Sequence, residues 1–235
     1  MSHYQVILFD LDGTLSDPKT GITKSVQYAL EKLNIVEPFL DKLECFIGPP
    51  LHVSFAEFYN MDEENIQKAI EWYRERFKEK GMYENELYED IPELLKLLKE
   101  RQYTLAVATS KPTVFAEKIL QYFHIDQYFD LIVGSNLDGT RSAKAEIIQY
   151  IIDKYKQYEL ADFIMIGDRK HDIIGANNCG VDSVGVTYGY GSFEELNGTK
   201  PAYIVNSVAE LKNLLLAAPS YSKNVIDFVG VKPVE

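Results

Sequence analysis

A chain of 235 residues that is 46% hydrophobic and 26% charged is long enough for one large globular domain, or for a domain carrying an insertion. Its 24 basic and 36 acidic residues leave a net charge of −12 with no Lys/Arg block, which argues against a nucleic-acid polymer or an anionic membrane surface as partner, since both require clustered positive charge. No apolar run reaches membrane-spanning length, and the opening MSHYQVILFDLD lacks the basic region, long apolar core and cleavage site of a signal peptide, so a cytoplasmic protein is expected. Cys45 and Cys179 match no metal or redox spacing and read as two reduced thiols, with a disulfide between them formally open.

The first predicted element is the strand of YQVILFDLDGTLSD. Four apolar residues, Val6 to Phe9, run into a Gly-containing turn, as expected of a strand buried on both faces. Ile22, Val26, Ala29, Leu30 and Leu33 then recur at helical spacing. FIGPPL (46–51) is a loop punctuated by Gly48, Pro49 and Pro50. Asp62 is placed to cap a helix whose stripe is Ile66, Ala69, Ile70, Tyr73 and Phe77 and which Gly81 ends. No strand is expected between residues 17 and 88, so this region reads as an all-helical insertion. From residue 90 strands and helices alternate. A helix with Pro92 in its first turn is followed by a strand over 104–110, a helix over 113–123, a strand near LIVGS and a helix over 142–155. A strand over 162–168 follows, then a helix over 171–179 closed by Gly180, and strands at SVGVTYG and AYIV. Such alternation predicts right-handed crossovers and an α/β, doubly wound, mainly parallel sheet. Residues 218–235 stand outside the alternation. Their VIDFVGV could be an edge strand, an oligomer contact or an unordered end.

The buried strands end in residues with chemistry. Asp10 and Asp12 lie where the first strand stops, in the crevice where open α/β sheets bind ligands. Their spacing of two turns both carboxylates one way and sends Leu11 back toward the core. Like charges so close call for a cation, a shared proton, or both. An EF-hand calcium loop would need further oxygen ligands and a closing glutamate, whereas Thr14 and Ser16 occupy the next alternate positions and a strand, not a helix, comes first. The later strands end in Thr109 and Ser110 and in Gly167 and Asp168, with Asp172 a helical turn on and Lys144 near a helix start. Taken singly, Lys144 reads equally as a solvated lysine, Thr109 as a β-branched strand end and Asp172 as a first-turn helix acid. His3, His52, His124 and His171 read as structural or surface residues.

Taken together, DLDGTLSD, Thr109 in ATSKP, Lys144 in RSAKAEII and GDRKHD resemble the four motifs of the haloacid dehalogenase (HAD) superfamily, in order, over roughly residues 4–216. The resemblance implies a HAD core of residues 1–16 and 89–217, a helical C1 cap of residues 17–88, and a tail, 218–235, of unknown role. It implies Mg²⁺ held by Asp10, Asp168 and the main-chain carbonyl of Asp12. Asp10 is then the nucleophile that forms an aspartyl-phosphate, and Asp12 the acid/base that protonates the leaving alkoxide and activates water. Lys144, Thr109 and Ser110 would hold the phosphoryl group, with Asp172 behind the metal ligands or on a metal-bound water. Gly13 and Thr14 would form the flap that couples cap closure to the nucleophile, while Gly48 and Pro49 either shape a loop that reaches the substrate or form a packing turn. Retention of Asp12 resembles the phosphotransferases rather than the dehalogenases. FIGPPL and WYRERF resemble phosphoglycolate phosphatases and bacterial 5′-nucleotidases of the family. The expectation is a phosphatase, monomer or homodimer, acting on a small phosphorylated metabolite. The alternatives are a phosphosugar mutase of the β-phosphoglucomutase kind and a regulatory protein on an inactivated core.

Overall fold

The computed structural model describes residues 4–217 and 232–233. Its central sheet contains β1 (Val6–Phe9), β4 (Thr104–Pro112), β5 (Leu131–Ser135), β6 (Phe163–Gly167), β7 (Asp182–Val186) and β8 (Tyr203–Val205), all parallel, in the order β5-β4-β1-β6-β7-β8. The two-residue β9 (Lys232–Pro233) adds antiparallel to β8. VIDFVGV lies outside the described residues. The chain steps outward from β1 to β4 and β5, then returns to lay β6 against the other side of β1. This reversal opens a crevice at the carboxyl end of β1, the usual binding place in such sheets.

Period-two alternation explains why β1 is apolar throughout. Ile7 and Phe9 join the core under α4 (Ile91–Glu100), α5 (Thr113–Tyr122) and α9 (Val208–Leu216), whereas Val6 and Leu8 join the core under α6 (Lys144–Lys154) and α7 (Lys170–Cys179). The fold is therefore the α/β, mainly parallel, doubly wound architecture that the alternation predicts. Gly180, at φ +71°, closes α7. The short α8 (Phe193–Asn197) follows β7 and packs Leu196 against Ile173 and Ile204.

Between β1 and α4 stand α1 (Lys19–Lys32), α2 (Leu51–Tyr59) and α3 (Glu63–Glu79). The Asp62 side chain accepts from the Asn65 amide at 2.9 Å and so caps α3 as expected. The sequence pattern misses two features here. First, Leu51 begins a helix, α2, of which only Ser54 and Phe55 are buried, too few apolar contacts to give a period. Second, the expected absence of strands is overturned: β2 (Ser16–Asp17) and β3 (Glu86–Leu87) pair antiparallel where the chain leaves and re-enters the sheet region. Two-residue strands carry no alternation to read. The helices share the core of one sheet face, where Phe77 of α3 meets Phe115 of α5 edge-on, 5.5 Å between centroids. Cys45 and Cys179 are free thiols. No helix among the described residues is long and apolar enough to cross a membrane.

Candidate active site

The three central strands of the switch point, β4, β1 and β6, deliver the polar residues to one place. The Asp10 amide donates to the Ile166 carbonyl at 2.9 Å, continuing the ladder one step past β1. The chain then turns sharply. The Leu11 carbonyl accepts from the amides of Thr14, Leu15 and Ser16, and Gly13 sits at φ +79°. Only glycine fits there, because a Cβ would lie 2.1 Å from Asp168 Oδ2 as well as facing the left-handed backbone penalty.

Asp10, Asp168 and Asp172 are all buried, and each offers a carboxylate oxygen within 4.8 Å of the others. Lys144, the first residue of α6, drives its ammonium among them. Its Nζ lies 3.0 Å from Asp10 Oδ1 and 2.7 Å from Asp172 Oδ1, and donates to the Ala108 carbonyl at 2.8 Å. Asp10 Oδ1 also accepts from the Leu11 amide at 2.7 Å. Asp172 Oδ2 accepts from the Arg169 amide at 3.0 Å, and Asp168 Oδ2 from the Tyr190 amide at 2.8 Å.

Three acids against one ammonium leave excess negative charge in a dry place. Burial, followed by the charges of Asp172 and Asp10, holds the Asp168 carboxyl well above the usual carboxylate range. Burial likewise pushes Asp172 up to about 6 despite the opposing Lys144. For Lys144 burial alone would lower the pKa, but Asp10 and Asp172 outweigh it and raise it. All the surplus donors are oxygens, a set that fits a hard divalent cation.

Asp12 belongs to a second pair. Its Oδ2 lies 2.8 Å from Lys111 Nζ, and its Oδ1 is buried without a hydrogen-bond partner among the described residues. Burial raises its pKa, with Lys111 opposing and Asp10 adding. The Lys111 ammonium also lies over the Phe77 ring, 4.4 Å from its centroid, so it ties the acid to α3. Thr109 is buried, and its Oγ1 accepts from the Lys111 amide at 3.3 Å. Thr14 Oγ1 stands 3.4 Å from Asp168 Oδ1.

A cleft of about 1080 Å³ opens between these strand ends and the helices, lined by Asp12, Ser110 and Lys111 on one side and by Gly48, Pro49 and Arg74 on the other. The structure thus gathers Asp10, Asp168, Asp172 and Lys144 into one cluster and sets Asp12 beside it. Ser110, Gly48 and Pro49 stand on the cleft wall. Gly48 adopts φ +102° above Arg169, whose Nη1 donates to the Ile47 carbonyl at 2.6 Å and whose Nε donates to Glu195 at 2.9 Å.

The sequence motifs assign no role to Lys111, Arg169, Tyr188 or Tyr190. Tyr188 donates to the Thr14 carbonyl at 3.0 Å, and Tyr190 donates to Asp17 at the start of the helical segment. Lys111 carried a usable signal, a lysine two residues past the strand-end Thr109. The tyrosines carried none, because only the fold brings the loop after β7 to the β1 turn.

The model of the haloacid dehalogenase-like hydrolase family matches residues 7–186, and the chain belongs to that family. It is a phosphatase of the family, acting on a phosphomonoester. It is 49% identical over 212 residues to a 5′-nucleotidase of Pseudomonas aeruginosa, covering 90% of this chain and 96% of that protein. It is 28% identical over 222 residues to a phosphoglycolate phosphatase of Vibrio vulnificus, covering 91% and 97%. The solved structure of a predicted phosphatase from Clostridium acetobutylicum superposes with a TM-score of 0.88 at 51% identity, covering 92% of this chain and 99% of that one.

Proposed function

We propose that the protein is a Mg²⁺-dependent phosphatase of small phosphomonoesters that works through an aspartyl-phosphate on Asp10. The observation that supports this most directly is the Lys144 bridge between Asp10 and Asp172, with Asp168 beside it at the switch point. A phosphomonoester dianion repels a carboxylate nucleophile, so attack needs positive charge fixed beside it. Asp10, Asp168 and Asp172, with the main-chain carbonyl of Asp12, are the oxygens that would hold Mg²⁺, which when bound supplies charge neutralisation to the phosphoryl oxygens.

Lys144 and the Leu11 amide hold Asp10 Oδ1, and no hydrogen bond among the described residues engages Oδ2. A carboxylate oxygen of Asp10 forms the bond to phosphorus as the ester P–O bond breaks, and Asp12 gives its proton to the departing alkoxide. Asp12 then takes a proton from the water that attacks the aspartyl-phosphate, releasing phosphate and restoring Asp10. The burial that raises the Asp12 pKa favours the protonated form this role starts from, and Lys111 stabilises the carboxylate left behind. Thr109 and Ser110, with nearby amides, hold the phosphoryl oxygens. Residues 17–88 act as a lid that excludes water. Gly13 and Thr14 form the flap beneath it, and Gly48 and Pro49 form the loop facing the substrate.

The names of the relatives favour phosphoglycolate or a nucleoside monophosphate as substrate class. The test is phosphate release from a panel of phosphoglycolate, nucleoside monophosphates, sugar phosphates and pyrophosphate. Release that a chelator abolishes and Mg²⁺ restores is the expected result. Sugar-phosphate isomerisation without release would make the protein a mutase instead, and chelator-resistant release would remove the metal from the scheme.

A further inference from the structure

The chain has five arginines, and four of them have hydrogen-bond acceptors: Arg76 on Glu84, Arg101 on the Leu216 carbonyl, Arg141 on the Gly134 carbonyl, and Arg169 on Glu195 and the Ile47 carbonyl. Arg74 is the exception. Its Nε is buried without a partner, and among the described residues no carboxylate stands within ion-pair distance of it. Yet its side chain lines the same cleft as Asp12, Ser110 and Lys111. A planar guanidinium presents a fork of donors matched to carboxylate or phosphate oxygens, and leaving one without an acceptor against a cleft wall is costly. Burial already pulls its pKa down, with only the neighbouring Tyr73 opposing and no carboxylate.

Its position along α3 puts it on the wall that faces the acid pair across the cleft. Arg74 and Phe77 are three residues apart and lie on one helix face, with Cβ atoms about 5–6 Å apart. Phe77 carries the Lys111 ammonium over its ring, and that ammonium meets Asp12. The guanidinium and the acid pair therefore line one cleft, with Arg74 on its helical wall and Asp12 and Lys111 on its strand-end wall. Ile70 and Phe115 also line the cleft, so an ion pair made there is shielded from water.

We infer that Arg74 forms a second anion subsite, so that the preferred substrate is a short phosphomonoester with a further carboxylate or phosphate a few bonds from the scissile phosphoryl group, rather than one with an uncharged tail. This rests on the phosphatase reading above and narrows its substrate class.

The experiment measures kcat and KM of the full-length, Mg²⁺-loaded enzyme on phosphoglycolate, pyrophosphate, ethyl phosphate and adenosine monophosphate. The wild type is expected to prefer a charged-tail probe over both neutral-tail ones. Arg74→Gln is expected to cut kcat/KM on that probe by about 10- to 100-fold, chiefly through KM, with a much smaller change on ethyl phosphate. Arg74→Lys should recover part of the loss, which separates a charge effect from misfolding. Loss on phosphoglycolate identifies a carboxylate as the second anion, and loss on pyrophosphate a phosphate. An equal loss on all four probes, or a wild type that favours adenosine monophosphate or ethyl phosphate, overturns the inference. Should Asp10→Asn retain Mg²⁺-dependent release, the phosphatase chemistry itself fails, whatever Arg74 does.

Discussion

Two ionic clusters in this molecule are built on opposite terms. At the strand ends Lys144 and three aspartates are fully enclosed, their oxygens crowded together, and two of the acids are pushed toward the protonated state. Within the helical segment Arg76 pairs with Glu84 at 2.8 Å and also reaches Ser25, with Lys24 nearby, and all of these charged groups keep some access to water. The second cluster does what surface pairs do, pinning α1, α3 and the re-entry to β3 at little cost. The first is expensive to bury and is not explained by stability, since buried ion pairs rarely outperform apolar packing. Charge kept where it costs most marks the chemistry.

By that contrast, substitutions should sort by depth and by role. Asp10→Asn preserves shape and removes the proposed nucleophile, so phosphate release at saturating substrate should fall at least about a thousandfold, measured against wild type at equal Mg²⁺. A variant within tenfold of wild type would erase the distinction. Lys144→Met leaves buried acids without their cation. Metal-free urea denaturation should show a loss of about 3 kcal/mol or more, and Mg²⁺ should restore part of it. Lys111→Met keeps the apolar stem over Phe77 but strips Asp12 of its partner. A drop of about 10- to 100-fold in kcat is expected, with a stability loss smaller than that of Lys144→Met because a single buried acid loses its cation.

The smallest effect belongs to the half-exposed cluster. Hydrogen bonds from Arg76, foremost, and the charges of Arg76 and Lys24 hold the Glu84 carboxyl below its ordinary value of 4.5. A depressed acid stabilises the fold above its unfolded pKa, and that contribution is lost as pH falls through the folded value. Glu84→Gln should therefore cost only about 0.5–1 kcal/mol near pH 7, and the difference from wild type should close as pH falls below 4.5 and through the folded value. A penalty that persists unchanged at low pH would mean that the pair acts through packing rather than charge.

The same contrast governs what could be read from the chain. Long parallel strands announce themselves through apolar runs, and chemistry at strand ends follows from topology, so Asp10, Asp12 and Asp168 stand out in the sequence, whereas Lys144, at a helix start, is picked out only by the resemblance to the family's motif order. Asp172 was less legible as a member of the cluster, because a first-turn acid is common and only the fold turns it toward Lys144. Helix α2 escaped because its burial is two residues deep, and β2 and β3 because two residues have no period. The sequence pattern also misses α9, although Val208, Leu211 and Leu215 have helical spacing and are buried. Arg74 was invisible for a different reason. A missing partner is a property of the surroundings, and the sequence does not display it.

Arg169 bears on tempo. One arm of its guanidinium is moored to Glu195 beside the sheet, and the other grips the Ile47 carbonyl at the foot of the helices. Swinging the 46–51 loop away from the strand ends has to break that second bond, and the left-handed backbone of Gly48 lies directly over the arginine stem. In the proposed mechanism, the ease with which this clasp unfastens bears on how soon spent phosphate can leave, a step that bond chemistry at Asp10 would not set.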